Sequence, residues 1–192
     1  MSITSLQGIH DPIATTQRSE VGLRGLREHL ELFEVGLDPD YQREHVWTQD
    51  QQGSLLGHLL EGGALPDIIF NEIVALDFQG HVDRIEVVDG KQRITAMVKW
   101  LEGEIPGRLS DGREVWYADL DRISRTIIST EVRLTFKHVR LDRMGVLKLY
   151  LKLNRGGTVH TAAEIARVRA MLLEEHRKGE PSDEKTRREK AC

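Results

Sequence analysis

The run Arg84-Ile85-Glu86-Val87-Val88 passes without a break into Asp89-Gly90-Lys91-Gln92-Arg93, and then into Ile94, Met97, Val98 and Leu101 at three- and four-residue steps. A β-branched stretch followed by a helical period, with one Asp-Gly between them, dictates a strand, a tight turn and a helix. Glycine tolerates the backbone angles of such a turn, and the helix opens with amide N–H groups that have no partner inside it. Helix starts of this kind attract phosphate. Lys91 and Arg93 add side-chain donors, Gln92 is suited to a phosphate or ribose oxygen, and Asp89 to a metal ion or a hydroxyl. The competing reading is structural: Asp89 caps the helix, and Lys91 and Arg93 are solvated. The string is not a P-loop, since it lacks that motif's glycine spacing and its Lys-Ser/Thr pair.

Around this centre the periodicity predicts further elements. Leu23, Leu26, Leu30 and Phe33 have helix spacing, with Ser19 and Glu20 as its start and Gly36 as its stop; residues 1–18 read as a loosely packed extension. Thr48 reads as the N-cap of a helix over Gln49 to Glu61. Asp67 to Leu76 reads as a strand that forms a hairpin with Arg84–Val88 through the turn Asp77 to His81. Val115-Trp116-Tyr117 fits an edge strand, Asp121 to Ser129 a short helix, Val132 to Phe136 a strand and Asp142 to Leu153 a helix. A last helix runs from Thr161 to about Glu175, and the polar residues 178–192 are expected to be disordered. Helices and strands are mixed rather than strictly alternating, which points to an α+β domain over 19–177, a small mixed sheet surrounded by helices.

Two more turns carry candidate chemistry. In Pro39-Asp40-Tyr41-Gln42-Arg43, near Trp47, Gln42 and Arg43 suit a planar or phosphate group; alternatively Tyr41 and Trp47 anchor the loop and Arg43 pairs with a carboxylate. In Asn154-Arg155-Gly156-Gly157-Thr158, paired glycines permit close backbone approach to a ligand while Asn154 and Arg155 supply donors. The bland alternative is a helix C-cap followed by the Thr161–Glu164 capping box of the next helix.

Composition narrows the rest. No apolar run among the 192 residues approaches the ~18 that a membrane span requires. The first residues lack the basic and apolar regions of a secretory signal, so a cytoplasmic protein without a membrane partner is expected. The single cysteine, Cys192, excludes an internal disulfide framework and a cysteine-rich zinc site. The eight histidines show no metal-ligand spacing, and no protein metal site is expected. A net charge of −4 argues against nonspecific polyanion binding by the whole surface, though not against a local basic pocket.

Taken in order, Pro-x-Tyr-Gln-Arg with Val46-Trp47, a Leu-rich helix, Leu65-Pro66, Asp-Gly-Lys-Gln-Arg and Leu-Asn-Arg-Gly-Gly-Thr resemble the N-terminal domain family of GmrSD-type restriction endonucleases, over about residues 20–170. That family resembles a branch of the ParB/sulfiredoxin fold. Its usual string is Asp-Gly-Gln-Gln-Arg, so Lys91 departs from it. The resemblance carries over to Gln42, Arg43, Asp89, Gly90, Gln92, Arg93, Asn154, Gly156 and Gly157; with the donors Lys91 and Arg155 of the same turns, nucleotide binding is expected at Gln42, Arg43, Gly90, Lys91, Arg93, Asn154, Arg155, Gly156 and Gly157, with Asp89 and Gln92 catalytic. It implies a nucleoside triphosphate with Mg2+, hydrolysed or used for phosphotransfer in a process coupled to DNA, in phage defence, phage biology or DNA maintenance. DNA, a separate effector protein and a second copy of the chain are the partners it suggests. Sulfiredoxin chemistry is not expected, because its catalytic cysteine has no counterpart. The chain ends before a His-Asn-His nuclease domain would fit, so autonomous DNA cleavage is not expected either. A DNA-binding adaptor with a nucleotide switch, a kinase acting on a small molecule or modified base, and a nuclease remain alternatives.

Overall fold

Strand pairing organises residues 15–140 of the computed structural model, which describes residues 15–43, 47–74, 82–154 and 161–179. Strands β1 (Thr15–Gly22), β2 (Ile68–Val74), β3 (Val82–Asp89) and β6 (Arg133–Val139) form a mixed sheet in the order β1-β6-β2-β3. β1 is antiparallel to β6, β6 parallel to β2, and β2 antiparallel to β3. The β2–β3 hairpin follows the sequence expectation; its turn, Asp77 to His81, lies outside the described residues. Beyond β3, Gly36 adds a parallel bridge, donating to the Ile85 carbonyl (2.8 Å) and accepting from the Val87 amide (2.9 Å). This bridge brings the 36–43 loop alongside the strand that leads to the Asp-Gly turn.

Two helices of this part, over Gln49–Leu60 and Lys91–Leu101, pack where their apolar periods predict. In α2 (Gln49–Leu60), Thr48 and Gln51 form a reciprocal capping box, and Leu56 and Leu59 are buried. Gly57 faces the short strand β4 (Gly107–Arg108) so closely that a Cβ would lie 1.7 Å from the Arg108 carbonyl oxygen. α3 (Lys91–Leu101) buries Ile94, Met97 and Trp100; at about 1.5–3 kcal/mol per buried large side chain, this face fixes the helix against the sheet. The Trp100 indole donates to Val115 in β5 (Glu114–Val115), which pairs with β4. α4 (Arg122–Glu131) is capped by Asp121. The core joins Leu23, Leu26, Phe70, Val87, Leu134 and Phe136 to these helices, with Phe70 and Phe136 edge-on at 5.1 Å.

The chain divides into two compact units, residues 1–140 and 141–192. In the second, α5 (Arg143–Leu153) is capped by Asp142 and packs against α6 (Ala162–Gly179). Thr161 and Glu164 exchange the two bonds of a capping box, 2.7 and 3.2 Å, as read from the sequence.

Several expected boundaries are corrected. Ser19 and Glu20 do not start a helix. They lie in β1 opposite Phe136 and Thr135, and the helix is the shorter α1 (Leu26–Leu32), preceded by a 3-10 turn at Leu23–Gly25. Cross-strand pairing with β6, which runs to Gly22, overrides the helix-start signal of Ser19 and Glu20. The 1–18 extension likewise ends inside β1. Tyr117 belongs to a 3-10 turn rather than to the edge strand. α6 reaches Gly179, and the rest of the expected tail lies outside the described residues.

Candidate functional site

At the end of β3 the chain turns through Gly90, whose φ of +111° is a left-handed conformation that disfavours a side chain. A Cβ there would also press on Ile68, 3.0 Å from its Cγ1. Gly90 is the N-cap of α3 and supplies no capping side chain. Ile94 donates to the Gly90 carbonyl at 2.9 Å, so the amides of Lys91, Gln92 and Arg93 precede the first helical bond. These amides and the helix dipole give the turn a positive end.

The side chains around this end hold two loops against it. Arg93 is buried; its guanidinium binds the Asp89 carboxylate at 2.6 Å, the Pro66 carbonyl, and the Asp67 carbonyl at 3.5 Å. Asp67 ties the same loop back to the sheet through Lys137 (2.6 Å) and Arg18 (3.4 Å). The Lys137 bond, and more weakly Arg18, hold its carboxyl below the ordinary carboxylate range. Lys91, also buried, donates to the Asp38 carboxylate and to the Arg43 carbonyl (2.9 Å). The Gln42 amide and the Tyr41 hydroxyl both donate to the Val87 carbonyl. Gln92 accepts from the Trp47 amide at 3.3 Å, and Gln52 of α2 donates to the Trp47 carbonyl at 3.0 Å.

Two of the three expected turns therefore meet: Gln42 and Arg43 lie with Asp89, Gly90, Lys91, Gln92 and Arg93. The expected solvation of Lys91 and Arg93 in the structural reading is corrected, since both cations are buried and bonded to protein oxygens. Asp89 does not cap α3; it pairs with Arg93 one turn on. Asn154 ends α5 in the second unit, where its side chain donates to the Tyr150 carbonyl at 2.7 Å. Arg155, Gly156 and Gly157 lie outside the described residues. Sequence reasoning missed Asp38, whose side chain is 80% exposed although its carboxylate sits on the buried Lys91 amine. The available signal was a carboxylate one residue before the Pro39 that fixes the loop.

Residues 26–150 match the family described as the GmrSD restriction endonuclease N-terminal domain. The chain belongs to this family. The GmrSD N-terminal domain match begins at α1 and runs into α5, and so includes both turns that meet at α3. No curated protein matches the sequence. Among solved structures, a similar one is the C-terminally truncated chromosome-partitioning protein ParB from Caulobacter crescentus complexed with CTP-gamma-S, at 15% identity and a TM-score of 0.40. The alignment covers 84% of this chain and 65% of that one, so this GmrSD N-terminal domain chain spans less than two thirds of that chain's length. Among the described residues, no helix is long and apolar enough to cross a membrane.

Proposed function

We propose that this chain binds a nucleoside triphosphate at the start of α3 and couples its binding or hydrolysis to DNA. The observation that carries the reading is the left-handed Gly90 turn: a helix start whose N-cap supplies no side chain, beside a buried lysine whose carboxylate partner is exposed. A phosphate oxygen is chemically equivalent to the Asp38 carboxylate as an acceptor for Lys91. It therefore displaces Asp38 at the positive end of the α3 dipole. Arg93 acts by positioning: it holds the 65–67 loop and Asp89 in place. The Asp89 carboxylate, 39% exposed, is the group that fits Mg2+, which is commonly held by one or two carboxylates together with substrate phosphates. When bound, the ion would neutralise phosphate charge. In hydrolysis, Asp89 or Gln92 orients the attacking water; its oxygen bonds to the terminal phosphorus as the bridging oxygen leaves with the diphosphate, and the proton passes to solvent.

Binding without turnover is a second reading, favoured by the 2.6 Å Asp89–Arg93 pair, which occupies the carboxylate that would otherwise orient water. The DNA coupling rests on family membership. The test is calorimetric titration of the four ribonucleoside triphosphates with Mg2+, followed by phosphate release with and without DNA. At least one nucleotide is expected to bind. Phosphate release supports the hydrolytic reading, DNA binding that responds to nucleotide without release supports the switch, and binding of none refutes both.

A further inference from the structure

The mixed sheet ends on β1, which pairs with β6 along one side only. At the sheet's other end the Gly36 bridge covers part of β3. At the Gly22 end of β1 the α4 backbone closes in, and a Cβ on Gly22 would lie 2.4 Å from the Ser129 carbonyl oxygen. Between that contact and Gln17 the outer side of β1 is open among the described residues. The register decides which groups this side presents. The Leu23 amide donates to the Val132 carbonyl at 3.0 Å, and the pairing with β6 is regular from Gln17 to Gly22. Antiparallel alternation then turns the amides and carbonyls of Gln17, Ser19 and Val21 toward β6, and those of Arg18 and Glu20 away from it.

An open edge of this kind is a template for another strand, and edges are commonly blunted with lysine, proline or a bulge. None of these occurs between Gln17 and Gly22. Two opposite charges occur instead. Arg18 and Glu20, two residues apart, project from one face of the sheet, and both are exposed. Arg18 lies opposite Lys137, a like charge, and reaches Asp67 only at 3.4 Å with its side chain 60% exposed. Glu20 makes no ion pair among the described residues. A second β1 laid antiparallel on this edge has to match outward backbone groups with outward backbone groups. Centred on Arg18 or on Glu20, such a pair sets identical charges opposite each other, which is destabilising. Centred on Ser19, it sets each Arg18 opposite the Glu20 of the other copy.

Apolar surface collects beside the same edge. The large apolar side chains left exposed among the described residues of 15–140 are Leu32, Phe33, Ile123 and Ile127. All belong to α1, with its C-cap, and to α4, helices that touch β1. Leu32 and Phe33 share a groove of about 800 Å3 with Gln17, Ser19 and Val21. Exposed apolar clusters rimmed by charge mark protein interfaces.

We infer that this edge is a homodimer interface, in which β1 of a second copy adds antiparallel to β1 about a two-fold axis at Ser19. Main-chain bonds between Arg18 and the other copy's Glu20 join the two sheets into one, and the side chains of the same residues form reciprocal ion pairs. The contact is isologous and uses up the edge, so assembly closes at the dimer. It does not rest on the nucleotide reading, because strand pairing needs no nucleotide.

The test is sedimentation velocity of the full chain without nucleotide, from about 1 μM to 1 mM, a range that reaches weak interfaces. A concentration-dependent dimer is expected. Glu20→Arg and Arg18→Glu each set like charges opposite each other, and each is expected to weaken the dimer by about tenfold or more. Mixing the two variants restores opposite charges at both pairs, so a heterodimer is expected at concentrations where neither variant associates alone. Misfolded variants would not recover on mixing. A chain that stays monomeric throughout, leaving the edge to a strand of some other protein, overturns the inference. So does a dimer indifferent to both reversals, or a mixture that associates no better than its components.

Discussion

Lys91 and Arg93 are two residues apart and both cationic, yet they do different work because they are buried against different partners. Arg93 bonds a carboxylate and two loop carbonyls with a planar fork that lysine cannot reproduce. Arg93→Ala is expected to cost about 2–4 kcal/mol, and Arg93→Lys to recover less than half of it, since the loss leaves buried carbonyls without donors. Chemical denaturation of the three proteins checks this; a destabilisation below about 0.5 kcal/mol for the alanine variant would be incompatible with a clamp. At Gly90, Gly90→Ala is expected to lose about 1–3 kcal/mol from the left-handed angle alone, with the Ile68 contact adding to it. Residue identities at this turn were legible in advance because strand, Asp-Gly and helix follow one another within a few residues. The partners were not: Asp38 and the Pro66 carbonyl are 53 and 27 residues away, and no local pattern announces such contacts.

Among the elements, α1 ends on Glu34, whose left-handed angle and the Val35 N–H to Leu30 carbonyl bond (3.0 Å) are features that usually select glycine. Glu34→Gly is therefore expected to raise stability by about 0.5–1 kcal/mol, with thermal melting as the readout and an unchanged or lower melting temperature as the contrary result. α2 depends on glycine for a different reason. Gly57→Ala would force the β4 backbone away from the helix, and several kcal/mol of destabilisation is expected, with no milder rearrangement available to a backbone carbonyl. Two helix starts were readable, Thr48 as an N-cap and Thr161 with Glu164 as a capping box, because such caps are signals within a few residues; the Gln51 half of the Thr48 box emerges only in the structure. β1 was not. Its residues, TTQRSEVG, form a polar edge strand whose stability comes from pairing with β6, more than a hundred residues on. Glu72 and His138, both buried and 3.0 Å apart, escaped for a related reason: a polar residue in an apolar strand period shows its environment only once the strands pair.

For the whole molecule, His29 and His138, both pushed below the ordinary histidine range by burial, set a pH dependence. Between their folded values and 6.5 the unfolded chain binds more protons than the folded one, so stability is full above about pH 6.5–7 and falls as pH drops below it. Melting temperatures at pH 7.5, 6.5 and 5.5 should decline in that order, and His29→Phe should flatten the decline; a flat profile for the unsubstituted chain would show that burial does not hold these rings neutral. The two compact units were not foreseen, since no Pro- or Gly-rich linker marks the Arg140–Leu141 boundary. In the proposed nucleotide site the Asp38 carboxylate occupies, on Lys91, the place of a nucleotide phosphate. The most direct test is the Mg2+-nucleotide affinity of Asp38→Asn, an exposed substitution that removes the competing charge. An affinity about five- to tenfold tighter, some 1–1.4 kcal/mol, is expected; an affinity equal to or weaker than that of the unsubstituted chain would contradict the account.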